Sequence, residues 1–194
     1  MISAIVLAAG KSARMGAINK MLLPYKGNTV IGTVLHELQQ SLVDEIIIVD
    51  NQNLHIKERL NEFPSVNFVT NLNTDGGLAS SIQCGVNEAS GSATGFLICL
   101  GDMPLLISDD YNSLINNFIT IDNKVIILPT HDNKRGNPVL FSAHFKDEIL
   151  DLQDGNGCKP VVVANSTCIH EVPFLSNSCH VDIDTVADYR NLTN

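Results

Sequence analysis

From Leu7 the chain reads Leu7-Ala8-Ala9-Gly10-Lys11-Ser12-Ala13-Arg14-Met15-Gly16, then, after a short spacer, Asn19-Lys20-Met21-Leu22-Leu23-Pro24. An apolar run stops at Ala-Ala-Gly and gives way to small residues and three cations, Lys11, Arg14 and Lys20. Backbone amides kept open by small side chains, beside cationic groups, make a cradle for a polyphosphate such as that of a nucleoside triphosphate. The same pattern also fits a strand-to-helix turn with solvated basic side chains. Neither G-x-G-x-x-G nor G-x-x-x-x-G-K-[ST] occurs, so a dinucleotide-binding turn and a P-loop are not supported.

Three further places carry chemistry. Asp102 follows an apolar run, between Gly101 and Met103-Pro104. A carboxylate there could hold Mg²⁺, which takes one or two protein carboxylates together with phosphate oxygens and water. An Asp turn or helix cap would look the same. Asp182 is a second candidate carboxylate, with Asp184 and Asp188 near it as caps or solvated residues. Asn71, Gly76, Gly77, Ser80 and Ser81 form a polar, small-residue stretch whose amide and hydroxyl groups could read a base edge. A glycine turn with serine caps is the alternative. Asp50 closes an apolar run and reads as a pocket-floor or loop residue. The six histidines are scattered with no H-E-x-x-H, and each reads as structural or surface.

These residues need a scaffold that brings them together. Strands are expected at Ser3–Leu7, Glu45–Val49, Asn67–Thr70, Gly95–Leu100, Val125–Leu128, Val139–Phe141, Thr167–Val172 and Val181–Ile183. Ile46-Ile47-Ile48-Val49 is a continuous apolar run, suited to a strand covered on both faces. Val30, Ile31, Val34, Leu35, Leu38 and Leu42 follow the helical period, which predicts a helix over Val30–Ser41. Further helices are expected near 54–62, 79–89, from caps at Ser108 or Asp109 to Ile119, near 144–150, and after a cap at Asp184 or Thr185. No assignment is made between Lys159 and Asn165. The alternation predicts a mainly parallel central sheet with helices on both faces, an α/β/α arrangement of three layers, with one or two antiparallel strands from the irregular second half. Ligands bind beyond the carboxyl ends of the strands in such sheets, which selects four loops: Leu7–Lys20, Thr70–Ser81, Leu100–Pro104 and the region around Asp182.

Composition narrows the class. At 194 residues, with 44% apolar residues and no Trp, the chain reads as one globular domain over residues 1–194. A net charge of -9 argues against nucleic acid as a partner. Five cysteines without a CxxC spacing support neither zinc nor a disulfide framework. A reducing, cytoplasmic setting is expected, with no signal peptide and no membrane span.

LAAGKSARMG…NKMLLPYKG resembles the N-terminal signature of the molybdenum cofactor cytidylyltransferases, within the nucleotidyltransferases of Rossmann-like fold. The resemblance continues in order through Asp75–Ile82, Gly101–Leu105, Lys134–Phe141, Gly155–Pro160 and Val181–Thr185, nearly the whole chain. It implies that Leu7, Ala8, Ala9 and Gly10 meet the nucleotide through backbone, while Lys11, Arg14 and Lys20 hold its phosphates. It implies Asn71, Ser80 and Ser81 at the base, Gly101 beside the nucleotide, and Asp102 with Asp182 on Mg²⁺. Arg135, Asn137, Pro138 and Lys159 would face the acceptor. Relatives that transfer guanylate usually carry Ala-Gly-Gly where Ala8-Ala9-Gly10 stands, so the resemblance favours CTP over GTP. Gly157-Cys158-Lys159 departs from the more usual Gly-Ala-Arg, which bears on the acceptor.

The expected activity is Mg²⁺-dependent nucleotidyl transfer from CTP to a phosphate-bearing acceptor, molybdopterin, with release of pyrophosphate. Arg14, Lys20 and Asp102 would be its catalytic residues, and an acceptor molybdoenzyme or its chaperone its downstream partner. Guanylyl transfer, or transfer to a sugar or alcohol phosphate, is the alternative on the same fold. A nucleotide or cofactor carrier without turnover is the alternative from another class.

Overall fold

The computed structural model describes all residues except 11–18, 52–55, 57–59, 61–62, 74, 122–123, 154–156 and 194. The expected helix near 54–62 lies mostly outside the described residues. Its two described members, Ile56 and Leu60, are buried.

The sheet is built outward from β1 (Ile2–Leu7), every residue of which is buried. It pairs in parallel with β4 (Glu45–Asp50) on one side and β6 (Gly95–Leu100) on the other. β5 (Val66–Thr70) extends the sheet in parallel beyond β4. β9 (Val139–Ser142) runs antiparallel between β6 and β7 (Ile126–His131), and β10 (Ile169–Pro173) closes that edge parallel to β7. The order is β10-β7-β9-β6-β1-β4-β5, with the two-residue β8 (Lys134–Arg135) antiparallel on β7. The expected mainly parallel sheet with two antiparallel strands is what forms.

Alternation along the strands divides the core in two. Ala4, Val6, Ile46, Ile48, Leu97 and Cys99 face α1 (Val30–Gln39) and α3 (Ser108–Thr120). Ile5, Leu7, Ile47, Val49, Phe96 and Ile98 face α2 (Gly77–Glu88), α4 (Lys146–Leu150) and α5 (Lys159–Ala164). These are the three layers. Among the described residues no helix is long and apolar enough to cross a membrane.

Two tight hairpins use residues that tolerate left-handed backbone. β2 (Pro24–Tyr25) and β3 (Asn28–Thr29) turn through Lys26 and Gly27, at φ 46° and 84°. β7 and β8 turn through Asp132 and Asn133, at φ 52° and 60°. Positive φ at both central residues is the type I′ geometry that matches strand twist.

Three expectations are corrected. Val181–Ile183 is not a strand: a 3-10 turn over Asn177–His180 precedes it, and the chain then crosses the ends of the sheet strands. Neither Ser108 nor Asp109 caps α3. The backbone N–H of Ile107 donates to Asp110 Oδ2 at 3.2 Å, and that of Ser108 donates to Glu37 Oε2 on α1 at 2.8 Å. The strand expected from Thr167 starts at Ile169, because a 3-10 turn takes up Ser166–Cys168. The segment left unassigned holds α5, whose Pro160 in the first turn starts a helix despite three valines. The last helix, α6 (Val186–Thr193), is capped as expected by Thr185: Asp188 N–H donates to Thr185 Oγ1 at 3.2 Å, and Thr185 N–H to Asp188 Oδ2 at 2.7 Å.

α2 lies close on the sheet because Gly85 faces it. A Cβ on Gly85 would run into Ile5 Cγ2 and stand 3.0 Å from Val49 Cγ2. Gly85→Val is expected to destabilise the fold by about 2 kcal/mol through overpacking. That is a fall in Tm of roughly 4–8 °C for a chain of this size, read by thermal denaturation. An unchanged Tm would contradict this packing.

Candidate active site

Parallel pairing brings three strand ends together, and the ladder runs one step past each of them. Ala8 N–H donates to Val49 O at 2.9 Å, Gly101 N–H to Leu7 O at 3.1 Å, and Asn71 N–H to Asp50 O at 2.8 Å. The first residue of each loop is therefore held by the neighbouring strand. A cleft of about 460 Å³ opens there. Of the residues expected at the nucleotide, Leu7, Ala9, Gly10, Lys20, Asn71, Ser81 and Asp102 line it. Ala8, Ser80 and Gly101 are outside its lining, and Lys11 and Arg14 lie outside the described residues.

Gly101 serves by lacking a side chain. A Cβ there would stand 3.1 Å from Leu7 O and 3.2 Å from Met21 Sδ. Asn51, which sequence reasoning did not select, also lines the cleft and donates from Nδ2 to Ala9 O at 2.9 Å. Its signal was its place one residue past a buried strand, beside the more conspicuous Asp50.

Asn71 is buried and its amide is largely engaged. Nδ2 donates to Ser80 Oγ at 2.9 Å and Ser81 Oγ at 3.0 Å, and Oδ1 accepts from Asn73 N–H at 2.9 Å. Ser80 Oγ lies 2.9 Å from Asn73 O, so that hydroxyl braces the loop. Among the described residues the Ser81 hydroxyl donates only through a long 3.5 Å contact to Gly77 O, so it and one lone pair of Asn71 Oδ1 could meet a ligand.

The acids meet beside this cleft. Carboxylate oxygens of Asp102, Asp182 and Asp184 lie within 4.8 Å of one another. Asp102 follows β6 and is only 8% exposed. The two others come from the crossing segment, which is tied down by Ile183 N–H donating to Asp102 O at 3.1 Å. Ile183 is itself buried against Tyr25 and Val30. Sequence reasoning had Asp182 in this role and left Asp184 to capping or solvent. The polar-apolar-polar order of Asp182-Ile183-Asp184 was the available signal.

Lys20, also 8% exposed, reaches the same acids. Its Nζ is 2.5 Å from Asp102 Oδ2 and 2.9 Å from Asp184 Oδ1. Burial alone would lower its pKa, but hydrogen bonds and charge from Asp102 and Asp184 hold it above the usual lysine range. The Asp182 carboxyl is raised, first by burial and then by the neighbouring charges of Asp102 and Asp184. An all-oxygen donor set without His or Cys fits a hard divalent cation such as Mg²⁺, whose opposite ligands stand about 4.2 Å apart.

A second cavity of about 420 Å³ adjoins the first and shares Leu7, Leu78 and Leu100 with it. Arg135, Asn137 and Lys159 line it, with Cys158 and a mostly apolar wall. Pro138 is buried and outside the lining. Arg135 Nε donates to Glu171 Oε1 at 2.7 Å. Burial pushes the Cys158 thiol up to about 12, so it is no nucleophile near neutral pH. A Cβ on Gly136 would collide with Cys179 O, and Asn137 N–H donates to that same oxygen at 3.0 Å.

The chain is 28% identical over 188 residues to the molybdenum cofactor cytidylyltransferase of Escherichia coli, covering 97% of this chain and 93% of that one. It is 29% identical over 186 residues to the molybdenum cofactor guanylyltransferase of Vibrio atlanticus, covering 93% and 90%. Among solved structures, a nucleotidyl transferase from Methanothermobacter thermautotroptrophicus superposes with a TM-score of 0.85 at 25% identity, over 99% of this chain and 95% of that one. A model of the MobA-like NTP transferase domain matches residues 4–168, so the chain belongs to that family of nucleotidyltransferases.

Proposed function

We propose that the protein transfers a cytidylyl group from CTP to the terminal phosphate of molybdopterin, with Mg²⁺ held by Asp102, Asp182 and Asp184. The observation that carries this reading is the pair of joined cavities, one lined by the basic and glycine-bearing strand ends and the other by Arg135, Asn137 and Lys159. Two reactants placed in them would meet over Leu7 and Leu100, two residues from Asp102. The names of the relatives from Escherichia coli and Vibrio atlanticus support the acceptor class.

In this reading an anionic oxygen of the acceptor phosphate attacks the α-phosphorus. A new P–O bond forms, the bond to the β-phosphate oxygen breaks, and pyrophosphate leaves with the electron pair. No general base is required, because the attacking phosphate is already ionised. The chain's part is placement in line and cationic stabilisation of charge on the leaving group, by Arg14 and Lys20. When bound, the divalent cation adds Lewis-acid stabilisation of the phosphoryl oxygens. Asn71 and Ser81 would meet the base, and Ala9, with its carbonyl fixed by Asn51, would shape the pocket for cytosine. Arg135 and Lys159 supply positive charge for the acceptor phosphate. The product would pass in the cytoplasm to a molybdoenzyme or its chaperone. GTP is the second reading, favoured by the guanylyltransferase among the relatives.

Pyrophosphate release measured with each of the four common NTPs, with and without molybdopterin, tests the proposal. CTP with molybdopterin is expected to give the fastest turnover, and equal or faster turnover with GTP would overturn the base preference. With Mg²⁺ present, CTP at a hundred times its Kd should stabilise the fold by about 2.7 kcal/mol. Asp102→Asn is expected to lose at least about 10²-fold in kcat with its Tm retained, and full turnover would remove Asp102 from the metal role. Asn71→Ala should lower stability by about 1–3 kcal/mol, since it strips the Asn73 N–H and both serines of a partner. It should also raise KM for CTP, and an unchanged denaturation midpoint would mean that the network is not bracing the loop.

A further inference from the structure

Lys20 does not wait in the cleft as an unengaged phosphate ligand. It comes from a 3-10 turn over Lys20–Leu22 whose first backbone groups are capped by Asn19, with Met21 N–H donating to Asn19 Oδ1 at 3.1 Å. The turn presents its ammonium, almost fully buried, to two of the three clustered carboxylates. The pair with Asp102 is short and internal, and it is not a solvated surface contact.

Three carboxylates within 4.8 Å repel one another strongly, and an ammonium is the one cation the chain itself supplies among the described residues touching them. A divalent cation bonded to Asp102 and Asp184 would draw on the same carboxylates to which Lys20 donates. Each carboxylate has a second oxygen to offer, but a divalent cation held there would stand beside the buried ammonium, and the two like charges repel.

We propose that Lys20 is a resident counter-cation of the acid cluster, and that it competes with the free metal ion until a triphosphate takes over its donors. The inference rests on the reading of Asp102, Asp182 and Asp184 as metal ligands. Lys20 also lines the nucleotide cleft, so its three N–H donors have a second anion to turn to when a triphosphate is bound. Leaving the acids for the phosphates opens the carboxylates to the metal. Metal and nucleotide then each favour the binding of the other, and by linkage the coupling is reciprocal. In the nucleotide-free protein the pair with Lys20 offsets part of the cluster's negative charge and lowers its affinity for free metal. Lys20 is thus a positioning residue for metal entry in addition to its part at the phosphates.

The test is Mn²⁺ binding to the nucleotide-free protein, followed by electron paramagnetic resonance, for the wild type, Lys20→Met, Asp102→Asn and the double variant. Lys20→Met is expected to bind Mn²⁺ about tenfold more tightly than the wild type. Equal or weaker binding, with Asp102→Asn still weakening it, would overturn the competition and leave the metal site standing. If the double variant binds as tightly as Lys20→Met, the ion is not at Asp102, and the metal reading fails together with this one. A second measurement needs no variant. Acylation of the Lys20 amine, mapped by peptide mass, should be slow in the nucleotide-free wild type and several-fold faster once Mn²⁺ is bound. An acylation rate indifferent to Mn²⁺ would overturn displacement of Lys20.

Discussion

The parallel register of β1 between β4 and β6 is the constraint on which the site depends. Leu7 stands opposite Val49 on one side and Leu100 on the other, so the three strands end level. A parallel strand cannot turn back on its neighbour. Each must leave the sheet at the same edge, and each loop begins where the others begin. The extra rungs through Ala8, Asn71 and Gly101 carry this order into the loops themselves. Those bonds satisfy backbone groups that would otherwise be stranded at a buried edge. The price is paid in side-chain size: Ala8 is buried, and a Cβ at Gly101 would crowd Leu7 O and Met21 Sδ.

Much of this was legible because burial on both faces writes itself as uninterrupted apolar runs. Ile46–Val49 and the stretch around Ala4–Leu7 could be central strands and little else, and the 3.6-residue spacing from Val30 to Leu38 marked α1. The rule that ligands gather at the carboxyl ends of such strands then pointed to Lys20, Asn71 and Asp102 together. The second half was harder to read. Val181 and Ile183 are apolar at strand spacing, yet among the described residues no strand pairs with them: Ile183 N–H is bonded to the single backbone group Asp102 O. Alternation reports which side chains are buried, and does not say whether a ladder continues. α5 hid behind three valines, whose weak helix preference was overridden by packing of Val161 into the core. At α3 the serine and aspartate looked like caps, but Glu37 arrives from α1, 71 residues away in sequence, to take the Ser108 N–H. No local pattern announces such a partner.

The site residues divide in the same way. Asp102 was visible from its place after a buried strand. Asp184 was not, because a carboxylate beside Thr185 has an ordinary explanation as part of a helix start. The packing of Ile183 against Tyr25 and Val30, its N–H on Asp102 O and the pair of Asp184 with Lys20 bring the two acids to Asp102, and none of these is local in sequence. The amide of Asn71 shows the opposite case. Its polarity suggested direct contact with a ligand, while most of its hydrogen-bonding capacity holds Ser80, Ser81 and Asn73 in place. A buried amide so engaged makes a rigid edge, and rigidity is what a cleft needs to prefer one base over another.

The crossing segment also links the walls of the two adjoining cavities. Cys179 O accepts from Asn137 N–H at the second cavity, and four residues later Ile183 N–H donates to Asp102 O at the acid cluster. A chain of that length, anchored at both ends, can neither drift nor stretch. The lack of a Cβ at Gly136 lets the backbone between β8 and β9 sit directly against Cys179. In-line transfer between two bound phosphates tolerates errors well below the length of a side chain. In the proposed reading, a short segment of backbone tethered at both ends would help to set that spacing without relying on a flexible side chain to bridge the two halves.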